Sequence, residues 1–290
     1  MRIISFNANG LRSAARKGFF NWFSRQSADV LCVQELKAQP SQLEDSAFHA
    51  RGFHRYLACA EKPGYSGVAI YTRRRPLDVV TALDGGEFDA EGRYLEAVFE
   101  DCAVASVYFP SGSSGPARQE AKFRFLSLFE AHMRRLLEEP NPYIFCGDVN
   151  IAHKKIDIRN WRSNQKNSGF TPEERAWMDH VVDEVGYVDA FRQVNQEPEQ
   201  YTWWSNRGRA WEKNVGWRID YQLVSPRLAS AVERVSIYKR KRYSDHSPLV
   251  IDYAFGGPDT PSPRSDHGAT AASSSMPGMA SAVHSKKKLK

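Results

Sequence analysis

Eight short runs of apolar and β-branched residues recur along the chain and limit what it can fold into: RIISFN (2–7), VLCVQE (30–35), GVAIYTR (67–73), YLEAVFE (94–100), CAVASVYF (102–109), YIFCGD (143–148), RIDYQLVS (218–225) and PLVIDYAF (248–255). Each has the length and side chains of a β-strand. YLEAVFE alternates, which predicts one buried face. VLCVQE is apolar almost throughout, which predicts a central strand. Helical patterns fall between the runs. Residues 16–27 carry Phe19, Phe20, Trp22 and Phe23. Residues 117–138 carry Phe123, Leu126, Phe129, Met133, Leu136 and Leu137 at helical spacing. In TPEERAWMDHVVDEVG, Thr171 and Glu174 form a capping box, Pro172 takes the first helical position and Gly186 ends the helix. Strands interleaved with helices predict a layered α/β or α+β domain whose strands lie in more than one sheet.

The 290 residues, 41% of them hydrophobic, suffice for a large core. The body is expected to span 1–255. From Gly256 the chain turns to Gly, Ser, Ala and Pro without aromatics, so 256–290 is expected to be a disordered tail ending in KKKLK. Net charge is +6, but Arg264 and four lysines against two aspartates give the tail +3, leaving the body only the other +3. That mild basicity alone does not establish a polyanion partner. No run approaches the ~18 apolar residues that span a bilayer. Residues 1–6 enter a strand at once, so no signal peptide is expected. Cys32, Cys59, Cys102 and Cys146 form no CxxC pair, and free thiols in a reducing cytoplasm are expected.

Several strands finish in polar groups. RIISFN leads into Asn7 and Asn9, VLCVQE ends in Glu35, and CAVASVYF carries Tyr108 before a Pro-Ser-Gly turn. IFCGDVN ends in Asp148 and Asn150, Asp220 opens its strand, and Asp245 and His246 precede the last one. A lone Asp or Asn at a strand end usually makes a turn. Repetition points instead to convergence on one sheet rim. Residues i and i+2 of an extended chain share a side, so Asp148 and Asn150 project together. Glu35, Asp148, Asp220 and Asp245 would repel each other without a cation. Mg2+ or Mn2+ removes that conflict and prefers oxygen ligands. Asn7, Asn9 and Asn150 add oxygens or donors without charge, and His246 beside Asp245 could be oriented by a carboxylate. The set suits hydrolysis of a phosphate ester: a metal neutralises oxygens, a carboxylate deprotonates water, and amide, imidazole and phenol groups stabilise added charge.

A second cluster, YTWWSNRGRAWEKNVGWRIDY, packs Trp203, Trp204, Trp211 and Trp217 into fifteen residues, with Arg207, Arg209, Lys213 and Arg218 between them. These tryptophans either pack a loop onto the core or offer stacking surfaces beside phosphate-binding cations. The basic loop AHKKIDIRNWRSNQKNSG (152–169), with Lys154, Lys155, Arg159, Arg162 and Lys166, directly follows Asp148 and Asn150 and should hang over the same rim.

In order, SFNANGLRS, CVQELK, GYSGVAIY, YFPSG, GDVNIAH, NSGFTPEER, GWRIDY and SDHSPL resemble the exonuclease III family of apurinic/apyrimidinic (AP) endonucleases, within the endonuclease/exonuclease/phosphatase superfamily. The likeness covers about residues 1–255. It implies a four-layer α/β sandwich, two mixed β-sheets flanked by helices, with the site where strand ends of both sheets meet. It also implies Mg2+-dependent incision 5′ to abasic sites in double-stranded DNA during base excision repair, with trimming of blocked 3′ ends, by a cytoplasmic monomer. By matching positions, Glu35 is the principal metal ligand with Asn7 nearby, and Asp148, Asn150, Asp245 and His246 complete the metal neighbourhood. Asp148 positions or deprotonates water, and Asn150 helps orient it. Asp220 pairs with His246 on the phosphate, which leaves His246 a competitor to Asp148 as proton acceptor. Tyr108 donates to the phosphate. Trp217 matches an aromatic of the baseless-sugar pocket, and Asn9, Arg159, Trp203, Arg207 and Trp211 are expected to contact DNA. Asn9 stands where some members carry Asp, and Ser111 where others carry Asn or Gln. A 3′-exonuclease or 3′-phosphatase of the same fold is the alternative. Lipid or inositol phosphatases lack reason to carry the Trp/Arg loop, and a catalytically dead DNA-binding protein would have lost one of the key polar residues.

Overall fold

The computed structural model describes residues 1–83 and 86–255; the expected tail, 256–290, lies outside them. In chain order the strands are β1 (Arg2–Asn7), β2 (Val30–Gln34), β3 (His54–Ala58), β4 (Val68–Thr72), β5 (Asp78–Val80), β6 (Tyr94–Val98), β7 (Ala103–Tyr108), β8 (Tyr143–Asp148), β9 (Val188–Asp189), β10 (Trp203–Trp204), β11 (Gly216–Trp217), β12 (Asp220–Val224), β13 (Val232–Ile237) and β14 (Leu249–Tyr253). The α-helices are α1 (Leu11–Arg16), α2 (Phe19–Phe23), α3 (Pro116–Leu137), α4 (Trp161–Asn164), α5 (Pro172–His180) and α6 (Ala190–Val194). Among the described residues, two six-stranded mixed sheets run β13-β14-β1-β2-β4-β3 and β5-β6-β7-β8-β12-β9, and β10 and β11 form a small hairpin.

Side-chain alternation along the strands builds four layers. Ile4 and Phe6 of β1 face α1 and α2, meeting Leu11, Phe19, Trp22 and Phe23. Ile3 faces the second sheet, where Cys32, Ile70, Val104, Ile144 and Cys146 form the core between the sheets. Phe145 and Tyr143 of β8 point the other way, onto Phe125, Phe129 and Met133 of α3. Each such buried side chain contributes about 1.5–3 kcal/mol. The expected four-layer sandwich is the observed architecture, and β2 is an interior strand as its apolar run requires.

Three details differ from expectation. The helix expected over 16–27 is only α2, 19–23, and it is separated from the preceding α1, 11–16, by Gly18 at φ 88°, a conformation a helix cannot continue through. β6 is buried on both faces, Glu96 included, with the Tyr94 hydroxyl donating to the Glu96 carboxylate. α5 keeps its capping box, then passes into a π turn over Val181–Val185 that ends at left-handed Gly186. All four cysteines are free thiols. No helix of the described residues is long and apolar enough to cross a membrane.

Candidate active site

The inward faces of β1 and β8 end in polar residues at the same rim. Ile144 and Cys146 lie between the sheets, so Asp148, two residues on, does too. Strand register places Asp148 between Tyr108 of β7 and Asp220 of β12. From the first sheet comes Asn7, fully buried, whose Nδ2 donates to Glu35 Oε1 at 2.9 Å and to Asp148 Oδ2 at 2.8 Å. Its Oδ1 accepts from the Asn9 backbone at 2.9 Å. One amide therefore joins carboxylates from two sheets. Glu35 follows β2 in the left-handed region, φ 52°, which turns its side chain off the strand line.

Asp148 takes one further donor, the Asn150 backbone N–H on Oδ1 at 2.8 Å. Burial pushes the Asp148 carboxyl up to about 8; His246 opposes the rise, while Asp220 and Glu35 add to it. His246 Nδ1 lies 2.8 Å from Asp220 Oδ2, and its Nε2 lies 3.8 Å from Asp148 Oδ2, beyond hydrogen-bond range. Burial works against charge on His246, but Asp220 first, then Asp148 and Asp245, raise it to about 10. At neutral pH it is an imidazolium, with both nitrogens donors.

Asn150 sits at φ 56°, and its Nδ2 donates to the Phe109 carbonyl at 3.0 Å. Burial, then Glu35 and Asp148, hold the Tyr108 hydroxyl well above its usual range, so it stays a donor. The buried Arg93 guanidinium lies 4.8 Å from the Tyr108 ring centroid and donates to the Tyr108 carbonyl at 3.0 Å.

Of the six residues expected around a metal, Glu35, Asp148 and His246 bring ligand atoms within 4.8 Å of one another. Asn7 adjoins them through its donated N–H groups, and Asn150 follows Asp148 on the same wall. Asp245 is already engaged: it accepts from Asn9 Nδ2 at 2.9 Å, Ser244 Oγ at 3.0 Å and Trp203 Nε1 at 3.2 Å. Burial opposes its charge, yet His246 and these donors keep its carboxyl below the usual range. Sequence reasoning passed over Lys37, whose Nζ lies 2.7 Å from Glu35 Oε2 and 2.5 Å from Asn9 Oδ1. Its signal was its place two residues after Glu35.

A cleft of about 670 Å³ opens over these groups and is walled on one side by Trp203, Trp217 and Ile219. Trp203 and Trp217 pair across the β10–β11 hairpin with rings edge to face at 6.1 Å. On their far side a second hollow, about 420 Å³, is lined by Arg207 and Lys213. Arg159 pairs with Glu199. Trp211 is placed otherwise: it packs on Trp204 at 4.4 Å, with Arg242 5.3 Å from its ring centroid. Arg218, read above among the phosphate-contacting cations, is corrected by its burial. It is 0% exposed and bonds Asp157 at 2.8 Å and Asp189 at 2.6 Å. Burial would raise Asp157, but Arg218 and Arg192 bring it to about 2. These two carboxylates claim the guanidinium before any ligand does.

The chain matches the Endonuclease/Exonuclease/phosphatase family over residues 4–267. It is 37% identical over 253 residues to an exodeoxyribonuclease of Bacillus subtilis (strain 168), covering 87% of this chain and 98% of that one. Among solved structures, an AP endonuclease from Archaeoglobus fulgidus superimposes with TM-score 0.80 at 26% identity, covering 88% of this chain and 100% of that one. A 3′ phosphatase from Neisseria bound to product DNA hairpin does so with TM-score 0.80 at 27% identity, again covering 88% and 100%. A family match over most of the chain, and likeness along nearly the whole length of such relatives, place this chain in the endonuclease/exonuclease/phosphatase family as a nuclease hydrolase of its AP endonuclease and exodeoxyribonuclease branch.

Proposed function

We propose that the protein is a Mg2+-dependent DNA repair nuclease that hydrolyses the phosphodiester 5′ to an abasic site in double-stranded DNA and trims blocked 3′ ends. The carrying observation is the junction of the acidic rim with a wall of Trp203, Trp217 and Ile219 in one cleft. The Trp203 N–H is committed to Asp245, so Trp203 and Ile219 present a largely hydrocarbon surface. Such a wall suits a deoxyribose without a base, which offers apolar ring atoms and few hydrogen-bonding groups.

The donor set fits a divalent cation. Burial first, then the neighbouring Asp220 and Glu35 carboxylates, lift Asp148 to about 8, a conflict that a hard cation relieves. Glu35 would be the principal ligand, with Asp148 beside it and Asn7, Asn150 and Asp245 around them; Mn2+ is expected to substitute. When bound, the cation supplies charge neutralisation at a non-bridging phosphate oxygen and at the leaving oxygen. His246, protonated, has no lone pair to ligate with and instead donates Nε2–H to the phosphate. That leaves Asp148 to take the proton. Asn7 and Asn150 each occupy one of its oxygens, and free lone pairs remain for a water. As Asp148 accepts the water's proton, the water oxygen bonds phosphorus and the bond to the 3′ oxygen breaks; the leaving oxygen takes a proton from solvent, giving a 3′-hydroxyl and a 5′-deoxyribose phosphate. Asn150, Tyr108 and His246 stabilise the added charge on phosphorus.

The likeness to a 3′ phosphatase favours a second reading, removal of 3′ blocks with little incision at abasic sites. Loop residues Ser111, Gly112, Ser113 and Gly115 line the same cleft and bear on that choice. The test is incision of a duplex carrying one abasic-site analogue, with and without Mg2+, beside an intact duplex with a 3′-phosphate end. Metal-dependent cleavage 5′ to the lesion is expected. Phosphate removal with the lesion left whole moves the protein to the second reading, and full activity in chelator overturns the metal assignment.

A further inference from the structure

One cation lies on the apolar face of α3. Lys122 precedes Phe125 and Leu126 by one turn and is 0% exposed. Its Nζ donates to two acceptors, Glu174 Oε1 at 2.5 Å and the Asn150 carbonyl at 2.8 Å. Glu174 is equally buried, and donors converge on both of its oxygens. Oε1 also accepts from Gln119 Nε2 at 3.0 Å and Ser168 Oγ at 3.3 Å, while Oε2 accepts from the backbones of Gly169 at 2.6 Å and Thr171 at 3.0 Å. Only a carboxylate accepts at both ends.

A buried ion pair is a weak source of stability, because desolvation consumes what the pairing gives. The geometry here gives it another use. Asn150 is left-handed, and Lys122 holds its carbonyl from behind. The Ala152 N–H donates to the Gly169 carbonyl at 2.8 Å. Gly169, at φ 93°, packs so closely that a Cβ there would lie 2.9 Å from the Asn150 carbonyl oxygen and 3.0 Å from the Trp217 ring. Asn150, the 168–171 wall of the cleft and Trp217 therefore rest on one another, and the Lys122–Glu174 pair ties them to α3.

We propose that Lys122, held by Glu174, is a positioning residue for the hydrolysis: it fixes the turn at Asn150 so that the Asn150 side chain meets the phosphate. This rests on the role given to Asn150 above. The test is a double-mutant cycle of Lys122→Met and Asn150→Ala, with kcat and KM measured on abasic duplex in Mg2+. Lys122→Met is expected to lower kcat about 10²-fold, the scale of a 1 Å misplacement, with KM changed less than about threefold. In the Asn150→Ala background the same change should cost nothing further. Equal losses in both backgrounds would overturn the proposal and leave Lys122 a structural residue. If Asn150→Ala alone keeps full kcat, the role of Asn150 falls, and the positioning role falls with it. Should Lys122→Met fail to fold, the cycle runs with Lys122→Arg, which keeps a cation beside Glu174 but replaces the compact ammonium under the Asn150 carbonyl with a larger planar guanidinium that displaces the turn, and reads the same outcomes.

Discussion

Replacing Asp220 with Asn isolates the charge on His246. Asp220 Oδ2 meets His246 Nδ1 at 2.8 Å, while Oδ1 is buried without a hydrogen-bond partner. An Asn can therefore keep its carbonyl on Nδ1 and place its amide where no donor stands, so shape is preserved and only charge is lost. The rise of His246 from 6.5 to about 10 corresponds to roughly 5 kcal/mol of preference for the imidazolium. Asp220 leads the groups that supply it, and burial opposes them all. Without Asp220, burial is expected to outweigh Asp148 and Asp245 and to lower the imidazole toward its neutral form. Losing a charged donor to the developing oxyanion should lower kcat about 10²–10³-fold. The assay is single-turnover incision across pH, beside a 15N NMR titration of His246. Wild type should gain rate with rising pH as Asp148 deprotonates, with His246 protonated throughout. In the variant His246 should lose its proton at lower pH than in wild type, and rate should rise as pH falls toward that point. An imidazole still protonated at about pH 9 in the variant would show that Asp148 and Asp245 suffice to hold the charge. A neutral imidazole with unchanged rate would show that the charge is not used.

Other outcomes follow from the same geometry. Gly147→Ala would put a Cβ 1.9 Å from the Val107 carbonyl oxygen, in the middle of the β7–β8 pairing, and should cost more than about 4 kcal/mol, read as lost soluble yield and a lowered Tm. Asp148 and His246 have folded-state values of about 8 and about 10, above their ordinary 3.8 and 6.5, so the metal-free fold binds protons that the unfolded chain does not. The stability they give is complete at low pH and is lost as pH rises through those values; the Tm gain on adding Mg2+ should therefore be larger at about pH 9 than at about pH 6. Trp211→Ala should cost about 2 kcal/mol of stability with little change in KM. Trp217→Ala should instead weaken binding of an uncleavable abasic duplex about tenfold, measured by fluorescence anisotropy.

What the sequence revealed follows the energetics of burial. β2 and β8 are interior strands that show as apolar runs, VLCV and YIFC, and α3 shows its stripe because Phe125, Phe129 and Met133 must face one sheet. The strands that escaped notice are at or near the edges. β3 and β13 close the two sides of one sheet and β5 one side of the other, and their HRYLA, VERVSI and DVV carry charges that protect an exposed edge and erase the strand signal. The polar residues of the rim were legible because each stands at or next to one end of a strand. Their partnerships were not. Whether Asp245 joins Glu35 or binds Trp203 depends on how the hairpin folds back. Arg218 was misread because its partners lie 61 and 29 residues away, where no local pattern announces them.

The placement of Asn7 explains why the site requires two sheets. Glu35 and Asp148 belong to different sheets, and two facing carboxylates separate unless something between them donates to both. Lys37 already meets Glu35 from the open side; a second lysine, buried between the two acids, would neutralise the charge left to attract a cation, and an aspartate would add a third like charge to the pair. A buried amide does neither: its two N–H groups hold one oxygen of each acid, and its carbonyl is occupied by the Asn9 backbone. Gln34 repeats the device one layer deeper, its Nε2 donating to Ser106 Oγ at 2.9 Å across the same gap. Neutral donors thus bridge the sheets at two levels above the apolar core packed between them, and the distance between the two acids at the rim is inherited from that packing. The reacting geometry is therefore a property of the packing between sheets, which is why residues far apart in sequence must agree before any one of them can act.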